Sequence, residues 1–207
     1  DGTADCLADV IAGAELTNGT IHLGVHCEGH LNTPYPVDPL GFFALGLRYV
    51  PTGYAATEAG FPGEGWGVAS GCGPSDGQGY AHGGLGVANV ALQDFQYTAD
   101  SALSTVQVDA PDGSPLFRVT HNNSPIPETP YLYQALVTNE NLSAIPRQVV
   151  YRRSIDWDIG PSYFDEYVTI DAGRATDILA TNLDGFVSPD PCDPPSGTPG
   201  PVADEPP

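Results

Sequence analysis

The stretch STVQVDAPDGSPLFRVTH, residues 104–121, carries the pattern that decides the fold. Apolar and polar residues alternate in 104–108 and again in 116–121, and Asp112-Gly113 lies between the two runs. A period of two is typical of strands with one buried face. An Asp-Gly pair between two such runs indicates a β-hairpin. The sequence therefore predicts an antiparallel pair of strands here.

Short runs of the same kind recur along most of the chain, with turn-forming Gly and Pro pairs between them. The predicted strands are 20–25, 44–50, 89–97, 104–108, 116–121, 131–138, 148–156, 166–171 and 177–180. Only 4–16 has apolar residues at a spacing that fits a helix. Many short strands with abundant turns predict an all-β protein, an antiparallel β-sandwich or jelly roll.

The composition sets the domain organisation. The 207 residues include 25 Gly and 21 Pro, which argues against helical bundles and coiled coils because both residues weaken helix interiors. We predict one β-sandwich domain over 1–187, with a Gly-rich inserted loop at about 51–86 that Trp66 and a disulfide of Cys72 hold in place. A Pro-rich extended tail follows at 188–207. No apolar run has the length of a bilayer crossing, so no transmembrane segment is predicted.

The net charge of −20 excludes two classes of partner. Nucleic acids bind proteins through Lys and Arg that displace counterions, and anionic lipids attract basic segments. The chain has no Lys, and its Lys and Arg total is 6 against 26 acidic residues. Nucleic-acid binding and electrostatic membrane docking are therefore not expected.

The four cysteines, Cys6, Cys27, Cys72 and Cys192, form an even set without a CxxC pair. Metal knuckles and redox motifs need that close spacing, so two disulfides are predicted, in an oxidising compartment. Three pairings are possible. We favour Cys6–Cys27, which closes a short N-terminal loop, together with Cys72–Cys192, which fastens the tail to the domain.

Two further features indicate an extracellular or cell-surface protein. The chain starts at Asp1 and contains no Met, as expected of a secreted protein after removal of its signal peptide. Asn18, Asn122 and Asn141 each begin an Asn-x-Ser/Thr triplet and are candidate glycosylation sites.

The body of the chain, about 21–186, resembles a region of secreted bacterial proteins, many of which carry a PEP-CTERM-type C-terminal sorting tail. The similar motifs are GHLN at 29–32, GLRYVPTG at 46–53, EGWGVA at 64–69, YRR at 151–153, DWD at 156–158 and EYVTI at 166–170. The resemblance implies secretion and surface display, and it brings no catalytic residues. This chain ends in the Pro-rich tail without a hydrophobic sorting helix, so we expect the helix to be cleaved off, or the protein to be released or polymerised.

An acidic group near the end of the domain is the first candidate site. Asp156, Asp158, Asp165 and Glu166 supply oxygen ligands of the kind Ca²⁺ prefers, although no EF-hand or nonapeptide calcium pattern is present. An alternative interpretation is a set of Arg–Asp pairs that holds neighbouring strands together, with Trp157 in the core. A catalytic carboxylate pair is the third interpretation.

The histidines His22, His26 and His30 recur every fourth residue. On a helix they would present three imidazoles to one transition-metal ion. Gly24 and Gly29 argue against a helix, and along a strand neighbouring histidines would lie about 13 Å apart. The sequence therefore predicts separate structural histidines.

No nucleophile elbow, phosphate-binding loop or other catalytic motif is present, so the protein is not predicted to be an enzyme. We expect a non-enzymatic extracellular structural or surface protein, a homo-oligomer or polymer. It would assemble into a filament or layer by strand addition from its extended termini, 1–5 and 187–207. The alternative is a calcium-dependent carbohydrate-binding or adhesive module that recognises surface glycans. A secreted hydrolase is a third hypothesis.

Overall fold

A computed structural model of the chain describes residues 2–3, 13–34, 44–57, 63–163 and 188–193. Within these ranges every regular element is a β-strand and all strand pairs are antiparallel, which confirms the predicted all-β fold. The described residues contain no helix with the length and apolar character that crossing a membrane requires.

The strands follow one another along the described ranges. In chain order they are β1 (Gly2–Thr3), β2 (Gly13–Thr17), β3 (Ile21–His26), β4 (Thr33–Pro34), β5 (Ala44–Leu45), β6 (Leu47–Tyr49), β7 (Tyr54–Ala55), β8 (Gly65–Ala69), β9 (Gln78–His82), β10 (Gly86–Ala88), β11 (Ala91–Tyr97), β12 (Ala102–Asp109), β13 (Pro115–Pro125), β14 (Tyr133–Asn141) and β15 (Val150–Ser154).

The strands form three larger sheets and one short pair. The five-stranded sheet has the order β1-β11-β12-β13-β14. The β8 sheet has the order β10-β9-β8-β15, the β3 sheet has the order β2-β3-β6-β7, and β4 pairs with β5. The predicted hairpin is the β12–β13 pair, in which Val106 lies opposite Val119. Gly113 has a φ of 82° in its turn, a conformation that glycine adopts without strain.

Both smaller sheets pack against the five-stranded sheet. Leu16 and Val25 of the β3 sheet lie in one apolar cluster with Phe95 of β11. Trp66 and Val68 of β8 form a second cluster with residues of β12 and β13. Complete burial of an aliphatic side chain contributes about 1.5–3 kcal/mol. The result is a sandwich-like arrangement whose core divides into two clusters.

The helix predicted over 4–16 is wrong where it can be tested. Residues 13–17 form β2, which alternates buried Ala14 and Leu16 with exposed Glu15 and Thr17 and pairs with β3; residues 4–12 lie outside the described residues. The apolar spacing fits both periods over so short a stretch, and pairing with β3 decides between them.

The Gly-rich segment at 51–86, predicted as an inserted loop, contains regular strands as well as turns among its described residues. It contains β8, whose residues are all buried, and β9. A Cβ on Gly67 would collide with the carbonyl oxygen of Pro189, and one on Gly65 would lie 2.6 Å from that of Ala81. Glycine is needed here because other chain segments approach the strand closely, and it hides the alternation that would mark the strand. Trp66 is fully buried, as expected.

The predicted disulfide Cys72–Cys192 is present, with a Cα–Cα distance of 5.3 Å and a sequence separation of 120. Arg152 of β15 adds to this clasp, because its guanidinium donates to the carbonyl oxygens of Asp190 at 2.7 Å and Asp193 at 3.0 Å. The start of the tail is therefore fastened to the β8 sheet. Cys27 is buried and Cys6 lies outside the described residues, so their pairing stays a prediction.

Most remaining strand predictions are confirmed within a few residues, and β13 and β14 extend beyond the predicted limits. The strands predicted at 166–171 and 177–180, and tail residues 194–207, lie outside the described residues.

Candidate functional site

A tight turn at the end of β3 brings together the residues with the strongest ligand chemistry. β3 ends at His26 and the chain reverses, with Gly29 at a φ of 86°. The N–H of Gly29 donates to the His26 carbonyl at 2.8 Å, and the N–H of His26 donates to the His30 carbonyl at 2.8 Å. Only glycine adopts this left-handed conformation without strain. The turn therefore places the side chains of 26, 28 and 30 close together.

The geometry of this cluster differs from the sequence expectation. The His26 and His30 rings stack with their centroids 4.3 Å apart and 11° between their planes. The separation of about 13 Å expected along a strand is therefore wrong for this pair, because the chain turns back at Gly29 instead of continuing. His22 is separate and its Nε2 lies 3.4 Å from a carboxylate oxygen of Glu15.

Glu28 completes the cluster and was not identified as a ligand from the sequence. Its Oε2 contacts Nδ1 of His26 and lies 3.9 Å from Nε2 of His30. One ligand atom from each of the three residues lies within 4.8 Å of the others. The pattern HCEGH was visible at 26–30, and its Gly29 was a signal for the turn.

The protonation of His30 follows from its surroundings. Nδ1 of His30 contacts the carbonyl oxygen of Leu31, which only accepts hydrogen bonds, so Nδ1 carries the proton and Nε2 keeps its lone pair. Burial, and then the neighbouring His26, lower the pKa of His30 well below its ordinary value. His30 is therefore neutral at pH 7, which is the state in which imidazole binds metals.

Two side chains of the core, Trp66 and His121, contact the backbone of the turn. The indole Nε1–H of Trp66 donates to the Glu28 carbonyl at 2.8 Å. A Cβ on Gly29 would lie 2.5 Å from Nδ1 of His121, so the turn rests directly on that ring. His121 in turn shares a hydrogen bond of 3.0 Å with the hydroxyl of Tyr151. Burial, and then the charge of Arg153, lower the pKa of His121 to about 3.

A buried ion pair contacts the backbone that follows the turn. Glu64 is fully buried and its carboxylate accepts from Nε–H of Arg153 and from the N–H of Leu31. Burial raises the pKa of Glu64, and the charge of Arg153 opposes that rise. Through Leu31 the pair holds the returning arm of the turn in place.

The predicted calcium ligands are only partly described. Asp156 is half-buried and Asp158 is buried; both follow β15 in irregular chain, and the N–H of Asp158 donates to the Ala56 carbonyl at 3.0 Å. Asp165 and Glu166 lie outside the described residues, so the calcium site stays a prediction. The placement of Trp157 in the core is wrong: it is 37 % exposed, because the strand alternation stops at Ser154.

The glycosylation candidates occupy different environments. Asn122 and Asn141 are exposed on β13 and β14. Asn18 is half-buried, and its Oδ1 accepts from the N–H groups of Thr20 at 3.0 Å and Ile21 at 2.8 Å. The Asn18 side chain thus shapes the β2–β3 turn, and modification of all three stays a prediction.

A second region is the outer strand of the five-stranded sheet, β14, which has nine residues. Among the described strands it has a hydrogen-bonded neighbour on one side only, β13. Leu136 at its centre is 60 % exposed, and the preceding residues Tyr131 and Leu132 are also exposed. We refer to β14 with residues 131–132 as the open edge.

A shallow cavity of about 300 Å³ lies beside β6 and β7. Tyr49, Tyr54, Leu47 and Ile159 contribute to its walls. The exposed ring of Tyr131 lies 6.5 Å from that of Tyr49 and extends the aromatic surface toward the open edge.

Comparisons of the chain with models of protein families, with curated proteins and with solved structures find no match.

Proposed function

We propose that the protein is a non-enzymatic extracellular structural or surface protein, and that copies of it assemble by pairing at the open edge. The observation that carries the proposal is β14, a nine-residue strand with one hydrogen-bonded neighbour among the described strands. The disulfide Cys72–Cys192 supports an oxidising compartment.

The residues of β14 lack the usual protection against pairing. Natural sheet edges are commonly blocked by Lys, Pro, bulges or inward-pointing charges. The β14 sequence YQALVTNEN has neither Lys nor Pro. Its one charged residue, Glu140, lies 2.5 Å from Arg118 on β13, which offsets its charge. The backbone of β14 is therefore suited to hydrogen bonding with a strand of another copy.

The termini expected to donate strands are both engaged in part. Gly2 and Thr3 form β1 at the opposite edge of the same sheet, opposite Tyr97 and Gln96. Residues 188–193 are held by the disulfide and by Arg152. This supports β14 as the acceptor edge, with β14 of a second copy as the incoming strand.

Charge sets the conditions for assembly. A net charge of −20 makes copies repel one another, and salt screens that repulsion with a Debye length of about 8 Å at 0.15 M. Assembly through the open edge should therefore strengthen as salt concentration rises.

Lysine substitutions on the exposed face of β14 test the proposal. Leu136→Lys with Thr138→Lys adds two edge charges without changing a buried residue. The matched control is Leu85→Lys, which alters an exposed leucine in the turn between β9 and β10. Size-exclusion chromatography and negative-stain microscopy at 0.1 M and 1 M NaCl should show oligomers or fibres for the parent and L85K, and monomers for the double variant.

Two results would overturn the proposal. One is a parent protein that stays monomeric at every concentration and salt level, and the other is a double variant that assembles as well as L85K. Reproducible turnover in a broad glycosidase and esterase screen would separately remove the non-enzymatic part.

The second candidate function, an adhesive carbohydrate-binding module, is favoured by the tyrosines around the shallow cavity. Tyr49 and Tyr54 line it and Tyr131 lies nearby, all of them exposed. Exposed aromatic rings can stack on the apolar faces of sugars. A glycan array probed with and without a calcium chelator tests this function. Binding that Tyr49→Ala abolishes would support it, and a flat response in both conditions would end it.

A further inference from the structure

We propose that His26, Glu28 and His30 form a binding site for a divalent transition-metal ion of the zinc class. The proposal is independent of assembly at β14. It rests on the convergence of three ligand atoms at the turn after β3, which lie within 4.8 Å of one another.

The donor set selects the class of ion. Two imidazole nitrogens and one carboxylate oxygen suit zinc and its neighbours, whereas Ca²⁺ prefers oxygen ligands throughout. Zinc bonds of about 2.0–2.2 Å place tetrahedral ligand atoms about 3.4 Å apart. To reach that value, the 3.9 Å between Nε2 of His30 and Oε2 of Glu28 would have to shorten, and the closer contact of Oε2 with Nδ1 of His26 would have to lengthen. Rotation of the partly exposed His26 and Glu28 side chains would make both changes.

The hydrogen bonding of the cluster is the second, independent observation. Nδ1–H of His30 donates to the carbonyl of Leu31, so the Nε2 lone pair faces the Glu28 carboxylate. Oε2 of Glu28 is buried and receives no hydrogen bond from the described residues, although both imidazoles face it. A lone pair and a buried carboxylate oxygen repel each other across this gap. A cation between them would remove the repulsion.

The residues behind the ligands hold the turn in the arrangement that an ion needs. The Leu31 carbonyl orients the His30 ring, as carbonyl partners of metal-bound histidines commonly do. Trp66 donates to the Glu28 carbonyl at 2.8 Å. Glu64 accepts from the N–H of Leu31. Since Trp66 and Glu64 are fully buried, the turn is fixed by the core before metal arrives.

The burial of the ligands indicates what completes the coordination shell. His30 is buried, whereas the side chains of His26 and Glu28 remain 15 % and 20 % exposed. Because these two side chains are partly exposed, water would supply a further ligand to a bound ion. Three protein ligands plus water is the arrangement of an open zinc site, as opposed to a closed structural one with four protein ligands.

Metal titration of the full chain tests the proposal. After chelator treatment, the protein is titrated with ZnCl₂ alone by isothermal calorimetry at pH 7.5, with CaCl₂ as the comparison ion. The variants are His26→Gln and Glu28→Gln, which change partly exposed side chains. The matched control is His22→Gln, a histidine of the same strand that lies outside the cluster.

We expect one zinc ion per chain for the parent and H22Q, and at least tenfold weaker binding for H26Q and E28Q. Zinc should also raise the Tm of the parent and H22Q, since a ligand of the native state stabilises it, and at the same zinc concentration should raise the Tm of H26Q by less. A cobalt-substituted parent should show visible absorption bands that E28Q lacks. Zinc binding that H26Q and E28Q retain at parental strength, or no stoichiometric binding by the folded parent, would overturn the assignment.

Discussion

The buried ion pair between Glu64 and Arg153 allows a sharp test of how the core is held together. Glu64 is fully buried and accepts hydrogen bonds from Arg153 and from the N–H of Leu31. Glu64→Gln keeps the shape of the side chain and removes its charge. The amide that this substitution introduces carries one acceptor and one donor group, so one of the two donors that now face the carboxylate loses its partner.

The expected cost follows from the burial of both partners. Breaking a buried ion pair by removing one member costs about 3–5 kcal/mol, because the other charge stays buried without compensation. The Arg153 side chain is 21 % exposed and Glu64 is 0 % exposed, so the guanidinium regains a little hydration. We therefore expect a loss near the lower end of that range, about 3 kcal/mol in the free energy of unfolding.

Urea unfolding followed by tryptophan fluorescence measures this loss, since Trp66 lies in the buried core. The matched control is Glu140→Gln, which breaks the exposed pair with Arg118, whose side chains are 53 % and 45 % exposed. Surface pairs contribute about 0–1 kcal/mol. The midpoint should fall strongly for E64Q and little for E140Q, with the slope against urea unchanged in both. Equal midpoint shifts for the two variants would refute the reasoning that burial sets the strength of the pair.

Three further predictions concern other parts of the fold. Replacing Cys72 and Cys192 with Ser should lower the free energy of unfolding by about 2–5 kcal/mol in chemical denaturation, since the disulfide closes a loop with a sequence separation of 120. A reduced parent protein that unfolds like the oxidised parent would contradict this. The folded state holds His121 at a pKa of about 3, below its unfolded value, so the unfolded state binds the extra proton between about pH 6.5 and 3. The contribution of His121 to the free energy of unfolding should therefore be complete above pH 6.5 and fall by up to about 1.4 kcal/mol per pH unit as the pH drops through that window. His121→Gln should reduce the measured slope of the free energy of unfolding against pH. Gly29→Ala should lower the free energy of unfolding in urea by about 1–3 kcal/mol more than the control Gly19→Ala. The two glycines have nearly the same φ, 86° and 87°, but only a Cβ at Gly29 would meet the ring of His121. Equal losses for the two variants would argue against that contact.

The strand-rich body follows from local patterns. The alternation in β12 and β13 and the Asp-Gly turn between them were sufficient to predict the hairpin, because side-chain period and turn chemistry are properties of neighbouring residues. The Cys72–Cys192 pairing, favoured among three possibilities because it fastens the tail to the domain, is present in the structure.

The Gly-rich segment shows where local sequence patterns no longer identify a strand. β8 reads GWGVA, and its glycines carry no side chain to mark a face. Gly65 is required by the approach of Ala81 on the neighbouring strand β9, and Gly67 by that of Pro189, which lies far away in the sequence. No window around β8 contains the approach of Pro189.

The cluster at 26–30 shows most clearly what the sequence determines and what only the tertiary structure decides. Residue types and spacing were visible in HCEGH, and the sequence alone determined that two imidazoles and a carboxylate lie within five positions. Whether they meet depended on the chain turning at Gly29, with Trp66 bonded to the Glu28 carbonyl and His121 beneath the glycine. Those contacts come from β8 and β13, and their formation depends on sheets that pack across the whole domain. The periodicity of apolar residues is a local property, and the sequence alone determined it. The proximity of distant chain segments was decided by the tertiary structure, because burial of the core brings those segments together.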